Sequence, residues 1–434
     1  MDSEMFHMEV DEQRWTQKRY SLEDELSEEY DPPDFGDFDD SLSESVGTSR
    51  SSASPFTCQT RLDSVQDLSG KLGPTDFELT RVLGKGGFGK VFQVKKKSGS
   101  DSGDVFAMKI LKKAVIIKNP KETQHTKAER NILGSVKSDF ICKLFYAFQT
   151  DEKLYLVMEF LEGGELFMLL EREQCLSEAD AGFYAAEIII ALEHLHTHGV
   201  IYRDLKPENV MLDKFGHVKL TDLGLCKEAV HAGDRTYTYC GTVEYMSPEI
   251  ILKSGHNQTA DWWSLGTIIY DMIVGQPPFI GKTNKETSEK IVNGRLKFPS
   301  DLSKEVKALL SGLMKKDAAK RLGFRGSIQI KRQQFFKKMD WESVEARKLK
   351  PPFCPPKKID ESTSFKYFDP RFFKLPAVDS PADKVSILDD PFTGFSYVAP
   401  EFFESKVVDF CNDQKLCHIP APAKCVFNPG QFRR

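Results

Sequence analysis

The feature that most constrains this chain is the stretch 202–224, which carries four polar residues suited to one kind of chemistry. Asp204 and Lys206 supply a carboxylate and an ammonium. Asn209 and Asp222 add oxygens of the kind that Mg²⁺ prefers. Phosphoryl transfer needs an oriented hydroxyl, a neutralised phosphate charge and held metal ions, with little covalent help from the protein. The stretch therefore predicts a phosphate-handling centre, and the rest of the chain can be tested for the groups that this stretch lacks.

A glycine-rich loop at residues 84–89 is the first candidate for such groups. Its G-x-G-x-x-G spacing is weak evidence alone, because the same spacing opens dinucleotide-binding folds. Those folds need a helix after the glycines and an acidic residue about 20 positions further on. Here the strand-forming residues 91–94 follow, and Lys109 stands where the acid should be. We therefore interpret the loop as a hairpin turn whose backbone approaches phosphates closely.

Lys109 lies in an alternating, strand-like segment, residues 105–111. A Lys in an apolar strand is rarely buried without a partner, and Glu129 on the helical stretch 126–133 is the candidate. A further strand is predicted over residues 154–161. It ends at a Gly-Gly pair, which we take as the break between two lobes.

The chain after this break has helical periodicity. Ser177 is a good N-cap for a helix over residues 181–198, which ends at a glycine. A predominantly helical stretch continues to about residue 336. Within it, Glu249 has a candidate ion-pair partner in Arg321.

Composition and charge exclude several functional classes. The 434-residue chain is 40% hydrophobic and 29% charged, as in an ordinary globular protein. Its net charge of −5 is uneven, because residues 1–50 hold 16 Asp/Glu against 4 Lys/Arg. An acidic leader on a mildly basic body does not indicate a nucleic-acid binder. The sequence has no run of about 18 apolar residues and no signal-peptide pattern, and its nine cysteines are scattered. We expect no membrane span, and a cytoplasmic location with the nucleus as a second one.

Local amino-acid composition divides the chain into four segments. Residues 1–76 are acidic and rich in small polar residues, which predicts a disordered leader. Residues 77–336 predict the folded body, and residues 337–407, rich in Pro and Phe, predict an extended strap packed on it. Residues 408–434 predict a loose tail, whose Cys and His residues fit no common zinc spacing: Cys411, Cys417, His418 and Cys425.

Together the motifs resemble those of a eukaryotic protein kinase. They follow that family's order and spacing: the glycine loop, V-F-A-M-K ending at Lys109, R-D ending at Asp204, Asn209, D-L-G from Asp222 and S-P-E ending at Glu249. Tyr202 in place of the usual His, and the Phe-rich strap, look like the AGC kinases. The double glycine Gly86-Gly87 favours the ribosomal protein S6 kinases of the seventy-kilodalton type. Leu223 and Ser247 depart from the family, which usually has Phe and Ala there.

The resemblance implies an α+β fold of two lobes. A small β-rich lobe would span residues 77–161 and a large, mainly helical lobe residues 162–336, with residues 337–407 as the AGC C-terminal extension. The implied activity is transfer of the γ-phosphate of ATP, with Mg²⁺, to Ser or Thr in Arg/Lys-rich sequences. An S6-kinase-like role in TOR-linked growth and translation control would follow.

The resemblance also implies roles for individual residues. Asp204 would orient the substrate hydroxyl and accept its proton, and Lys206 would meet the transferred phosphate. Glu129 would fix Lys109 on the nucleotide phosphates, and the ligands of Mg²⁺ would be Asn209 and Asp222. The nucleotide-binding residues would be Leu83, Gly84, Lys85, Gly86, Gly87, Phe88, Gly89, Val91, Ala107, Lys109, Glu159, Leu161 and Glu165. The acids that receive a substrate's Arg or Lys would be Glu165, Glu208 and Asp271.

Regulatory positions follow from the same resemblance. Thr238 matches the activation-loop phosphosite, whose phosphate would pair with Arg203. Ser380 matches the turn-motif phosphosite and Ser396 the hydrophobic-motif phosphosite. The hydrophobic motif would consist of Phe392, Phe395 and Tyr397, with both Phe rings docked beside the Glu129 helix.

The implied partners are proteins. They are basic substrates such as ribosomal protein S6, a phosphoinositide-dependent kinase acting on Thr238, and the TOR complex, through Ser396 and the leader. Residues 6–10 resemble the TOR signalling motif, with His7 where the family has an acid. We expect a monomer and no nucleic-acid partner.

Two other interpretations stay open at this point. A neighbouring AGC enzyme, Akt-like or of serum-regulated type, would share most of the motifs. A pseudokinase scaffold is disfavoured, because such proteins usually lack at least one of four residues that are all present: Lys109, Asp204, Asn209 and Asp222.

Overall fold

The structure is a computed structural model. It describes residues 28–29, 72–228, 234–355, 367–384, 390–400 and 402. The acidic leader is represented by strand β1, Glu28–Glu29. The possible TOR signalling motif at residues 6–10 and the tail at 408–434 lie outside the described residues. The predicted α+β architecture of two lobes is confirmed, with a β-rich small lobe and a helical large lobe.

The small lobe is built on a six-stranded antiparallel sheet. Its strands are β2 Phe77–Lys85, β3 Gly89–Lys96, β4 Val105–Lys112, β5 Leu144–Gln149, β6 Lys153–Glu159 and β11 Tyr397–Val398. Their order across the sheet is β11-β5-β6-β4-β3-β2. After β4 come two helices, α1 Lys113–Ile116 and α2 Pro120–Ser135. Alternate residues of β4, namely Phe106, Met108 and Ile110, are buried in the small-lobe core, as the period of a strand requires.

The large lobe is mainly helical. Its helices are α3 Leu166–Glu173, α4 Glu178–Thr197, α5 Pro248–Ile251, α6 Thr259–Val274, α7 Asn284–Asn293, α8 Lys304–Leu313, α9 Ile328–Lys331 and α10 Trp341–Glu345. A small sheet, ordered β7-β8-β9, consists of β7 Gly164–Glu165, β8 Val210–Leu212 and β9 Val218–Leu220, and a separate strand is β10 Lys297–Phe298. Nowhere in the described ranges is a helix both long and apolar enough to cross a membrane.

Two buried helices, α4 and α6, form the centre of the large lobe. The predicted cap of α4 is confirmed, since Ser177 Oγ accepts a hydrogen bond from Asp180 N at 3.1 Å. Every residue of α6 is buried. The predicted ion pair is also confirmed: Nη1 and Nη2 of Arg321 donate to the two carboxylate oxygens of Glu249, at 2.6 and 2.8 Å. Such a bidentate pair joins the α5 region firmly to the base of the lobe.

The structure differs at one place from the expected lack of regular structure in the leader. Strand β1 pairs antiparallel with β10, so that Glu28 lies opposite Phe298 and Glu29 opposite Lys297. Without a partner, strand β10 would leave its main-chain N–H and C=O groups unpaired, and pairing with β1 satisfies them.

The C-terminal strap crosses both lobes, and its described residues after α10 include a short helix, α11 Pro370–Phe373. The strap packs against two glycines whose backbone is in the left-handed region. A Cβ on Gly216, at φ +95°, would collide with the carbonyl oxygen of Phe353. A Cβ on Gly164, at φ +75°, would collide with the carbonyl oxygen of Tyr367. Only glycine allows this conformation and this approach together.

The end of the strap docks on the small lobe. Phe392 and Phe395 are 1% and 3% exposed and join the core beside α2. Strand β11 then adds to the edge strand β5. Arg130 of α2 fastens this segment, because its guanidinium donates to the carbonyl oxygens of Phe395 at 3.0 Å and Ser396 at 2.7 Å. The strap thus completes the small-lobe sheet from a position far along the chain.

Candidate active site

A cavity of about 580 Å³ lies between the two lobes. Such a volume is in the range of sites for small molecules. All thirteen residues predicted to bind the nucleotide line it, from Leu83 in β2 to Glu165 in β7. At Gly84, Gly86 and Gly87 an added Cβ would meet nothing within 4 Å, so the loop lies open over the cavity. Their assignment to a nucleotide stays a prediction.

Lys109 joins the two lobes across this cavity. It lies in β4 opposite Leu156 of β6. Its Nζ is 2.7 Å from Glu129 Oε1 in α2 and 3.3 Å from Asp222 Oδ1 in the large lobe. Burial opposes the charge, but the carboxylates of Asp222 and Glu129 outweigh it and raise the pKa of Lys109. The amine therefore stays protonated at any physiological pH.

Asp204 stands at the centre of a second polar group in the large lobe. Asn209 Nδ2 donates to its Oδ2 at 2.9 Å, and Lys206 Nζ lies 3.2 Å from the same oxygen. The main-chain N–H of Thr242 donates to Oδ1 at 3.2 Å, and Lys206 Nζ also reaches Thr242 Oγ1 at 2.9 Å. Asp204 is thus held on both carboxylate oxygens, so the orientation of its side chain is fixed.

Asp261 in α6 fixes the loop that carries Asp204. This fully buried carboxylate accepts from the main-chain N–H groups of Tyr202 at 3.0 Å and Arg203 at 2.8 Å. Its Oδ2 also lies 2.7 Å from His196 Nε2. Arg203 has a positive φ of 69°, a conformation that a non-glycine residue holds only where its surroundings enforce it. Sequence reasoning gave Asp261 no role, because its partners lie 58 or more residues away.

Two residues suit a hard cation such as Mg²⁺. Both hydrogen bonds described for the Asn209 side chain use Nδ2, so its oxygen could serve a metal ion, and this role stays a prediction. Thr221 donates its main-chain N–H to Asn209 O at 3.0 Å, and this contact brings the next residue, Asp222, to the same place. The charge of Lys109 lowers the pKa of Asp222, so the carboxylate is ionised. Among the described residues there is no cluster of three or more His, Cys, Asp or Glu that could hold a metal. Two protein ligands fit Mg²⁺, which takes its other ligands from phosphate and water.

The three acids predicted to receive a substrate cation differ in their position relative to the cavity. Glu165 and Glu208 both line the cavity. Burial first, then the charges of Glu208 and Asp369, raise the pKa of Glu165 to about 7. Asp271 is only 2% exposed, and its carboxylate accepts from the Tyr245 hydroxyl at 2.7 Å. The structure therefore places Asp271 behind Tyr245 rather than at the cavity wall, and a substrate role for it stays a prediction.

The strap contributes a residue to the cavity that sequence reasoning missed. Phe368 lines the cavity and stacks on Phe160, with ring centroids 5.9 Å apart and planes 8° from parallel. The two residues are separated by more than 200 positions, so no local pattern links them. The only signal was the Phe-rich composition of the strap.

The regulatory positions are well separated. Thr238 is half-buried in the segment before α5, and Ser396 is exposed beside Arg130 on the small lobe. Ser380 follows Asp379, which pairs with Lys153 at 2.7 Å. Arg203 donates its Nε to Leu225 O at 2.6 Å, while its Nη1 is buried without a hydrogen-bond partner in the part of the chain that the structure describes. All three phosphosite assignments stay predictions.

Comparison with known proteins shows which family the chain belongs to. The model of the family described as "Protein kinase domain" matches residues 77–336. Ribosomal protein S6 kinase beta of Caenorhabditis elegans is 54% identical over 75% of this chain and 59% of its own length. Ribosomal protein S6 kinase alpha-6 of Homo sapiens is 48% identical over 72% of this chain and 41% of its own length.

A third relative, ribosomal protein S6 kinase alpha-3 of Mus musculus, is 49% identical over 72% of this chain and 42% of its own length. The chain thus spans between about two fifths and three fifths of these relatives. The resemblance seen in the sequence is confirmed. The chain belongs to the protein kinase family, and within it is similar to the ribosomal protein S6 kinases.

Proposed function

We propose that the chain is an ATP-dependent serine/threonine protein kinase of S6-kinase type, acting in TOR-linked growth control. One observation carries the catalytic part. Lys109 Nζ contacts Glu129 in the small lobe and Asp222 in the large lobe at the same time. Of these two contacts, the ion pair of Lys109 with Glu129 is the one that phosphoryl transfer by a protein kinase requires, and Lys109 would then hold the nucleotide phosphates between the lobes.

The residues of the chain divide the work of transfer. ATP bound with Mg²⁺ would supply the phosphoryl group and the charge neutralisation, with Asn209 and Asp222 as metal ligands. Asp204, held by its contacts to Asn209 and Thr242, orients the substrate hydroxyl and takes up its proton. Lys206 meets the charge of the transferred group. Burial disfavours its ammonium, but Asp204 and Glu208 outweigh burial and raise its pKa.

The proposed substrates are Ser or Thr residues in sequences with Arg or Lys, ribosomal protein S6 among them. Glu165 and Glu208 line the cavity and lie near enough to interact electrostatically. Two adjacent carboxylates favour a cation over a neutral side chain. The similar proteins are named as kinases of ribosomal protein S6.

The proposed regulation uses phosphates at Thr238, Ser380 and Ser396. A phosphate on Thr238, added by a phosphoinositide-dependent kinase, would give the buried Nη1 of Arg203 a partner and order the segment beside Asp204. Ser396 would be modified in a TOR-dependent way, strengthening the docking of the hydrophobic motif on α2.

The test is transfer of labelled phosphate from ATP to an arginine-rich peptide library, with and without phosphate on Thr238. Lys109→Met is the control and should lower the rate at least about 100-fold, because it removes a positioned charge from the transition state. Transfer equal in wild type and Lys109→Met would exclude catalysis by this site. A folded protein that binds ATP but never transfers phosphate would be a scaffold instead.

A further inference from the structure

Lys219 in β9 is a buried basic residue to which the proposed mechanism gives no role. It is 1% exposed, and its Nζ lies 2.9 Å from Glu159 Oε2 at the end of β6. The Glu159 side chain is 25% exposed, and the residue lines the cavity. Breaking an ion pair with a buried member leaves a charge without its partner, which is costly. The pair therefore joins a strand of the large lobe to the small-lobe sheet at the cavity wall.

Main-chain hydrogen bonds join the same two lobes beside this pair. Leu220 N donates to Phe140 O at 2.9 Å, and Cys142 N donates to Leu220 O at 2.9 Å. Glu159 N in turn donates to Lys143 O at 2.9 Å. Strand β9, the segment 140–143 and the end of β6 are thus connected in series. The main chain at Glu159 is therefore held in a set position relative to β9.

The pairing of β4 with β6 shows which part of a nucleotide would lie at Glu159. Lys109 lies opposite Leu156, and Phe106 lies opposite Glu159. These two positions are three residues apart, or about 10 Å along the strands. With the phosphates at Lys109, as the proposed function requires, the base end of the nucleotide falls beside Glu159.

Apolar side chains lie at that end of the cavity. Ala107 lies opposite Met158, next to Glu159, and both line the cavity. Met211 lines it from the large lobe and lies opposite Lys219 in the pairing of β8 with β9. Side chains opposite each other in antiparallel strands lie on the same face of the sheet. Lys219 thus leaves β9 on the side of the cavity, where its ammonium meets the Glu159 carboxylate.

We infer that Lys219 is a positioning residue for the nucleotide base. Through its ion pair with Glu159 it holds the main chain at the end of β6 in the place where the adenine ring binds. The inference rests on the proposed function, because it concerns the nucleotide of the same cavity. Loss of the pair should weaken nucleotide binding and leave the rate of transfer at saturating ATP unchanged, which is the pattern of a contact that serves binding alone.

The experiment measures the Kd values of ATP and of adenosine by isothermal titration calorimetry on the full chain. Lys219→Met should raise both constants by the same factor, about 3- to 10-fold, because the two ligands share the base and differ in the phosphates. KM for ATP should rise by that factor. At saturating ATP, kcat and the KM for an arginine peptide should stay unchanged.

A second variant breaks the pair from its more exposed side. Glu159→Gln keeps the main-chain groups of Glu159 and should raise both Kd values alike, so it decides the inference even if Lys219→Met does not fold. The double variant should bind no more weakly than the weaker of the two single variants, because each substitution removes the same contact.

Lys96→Met is the matched control. Lys96 is also buried, and its Nζ lies 3.3 Å from Asp101, but neither residue lines the cavity. Its substitution should lower Tm, as Lys219→Met does, and leave both Kd values unchanged. The inference is overturned if Lys96→Met weakens adenosine binding equally or if Lys219→Met changes the Kd of ATP without that of adenosine. It is also overturned if neither Kd changes, or if the two single effects add in the double variant.

The behaviour of the wild type separates this inference from the proposed function. Binding of both ligands without phosphate transfer would count against the proposed function, and the Kd values would still decide the inference. Binding of ATP without binding of adenosine overturns the inference alone. Binding of neither ligand overturns both.

Discussion

The catalytic stretch 202–224 and the strap reach the same cavity by opposite means. The catalytic stretch holds Asp204 with polar contacts, from Asn209 five residues away and from Thr242 in the segment before α5. The strap is held by aromatic burial over long separations, as when Phe368 stacks on Phe160. Polar contacts fix direction, whereas apolar burial fixes position and stability. Substitutions in the two regions should therefore fail in different ways.

The largest expected effect is in the catalytic stretch. Asp204→Asn keeps the shape of the side chain but removes the proton acceptor, so kcat should fall at least about 100-fold. The thermal stability of this variant should fall only modestly: the Asn oxygen can still accept from Thr242 N–H, although its NH2 group then faces the donors Asn209 Nδ2 and Lys206 Nζ. Phosphate transfer measured at saturating ATP, together with thermal unfolding, checks both parts. A large loss of Tm with little loss of kcat would break the contrast between the two regions.

A change in the strap should lower stability and rate together. Phe395→Ala removes a ring that is 3% exposed, and truncating a buried Phe costs about 3 kcal/mol or more. The strap would loosen from α2, so kcat should fall to about a tenth of the wild-type value. KM should change by a smaller factor. The measurement uses protein phosphorylated on Ser396, with thermal unfolding beside it.

Val378→Ala is the matched control for that change. Val378 is an apolar residue on the same strap but is 63% exposed, so its truncation should be silent in both measurements. An unchanged kcat in phosphorylated Phe395→Ala protein would argue that the strap does not support the position of Glu129.

The smallest expected effect lies where the two regions meet. Glu165 has a pKa of about 7 because it is buried and faces Glu208 and Asp369. It is largely protonated at pH 6 and ionised at pH 8, and only the ionised form attracts a cation. KM for an arginine peptide should therefore fall a few-fold between pH 6 and pH 8, while that for an alanine peptide stays flat. In Glu165→Gln protein the pH dependence should disappear. A slope that survives this substitution would assign it to another group.

The same contrast separates what the sequence could predict from what it could not. Lys109 and Glu129 were paired from strand alternation and helical placement, since both signals are local. The thirteen predicted nucleotide residues line one cavity because they lie along the adjacent strands β2, β3, β4 and β6 and along the segment from β6 to β7. Phe368 and Asp261 were missed, because their partners lie tens to hundreds of residues away and leave no periodic trace. The burial of Asp271 was missed for the same reason, since a helix position alone does not say which neighbour, here Tyr245, covers it.

Gly164 and Gly216 show where the folding unit ends. The family model stops at residue 336, yet both glycines are shaped to receive main-chain carbonyls from residues 367 and 353. The segment that the family model matches thus contains contact positions for a segment outside it. Moving residues 77–336 alone into another protein would carry over Lys109, Asp204 and Asp222 but leave both glycines, and the apolar surface that the strap covers, without their partner segment. The smallest portable unit of this protein therefore extends through the strap to Phe402.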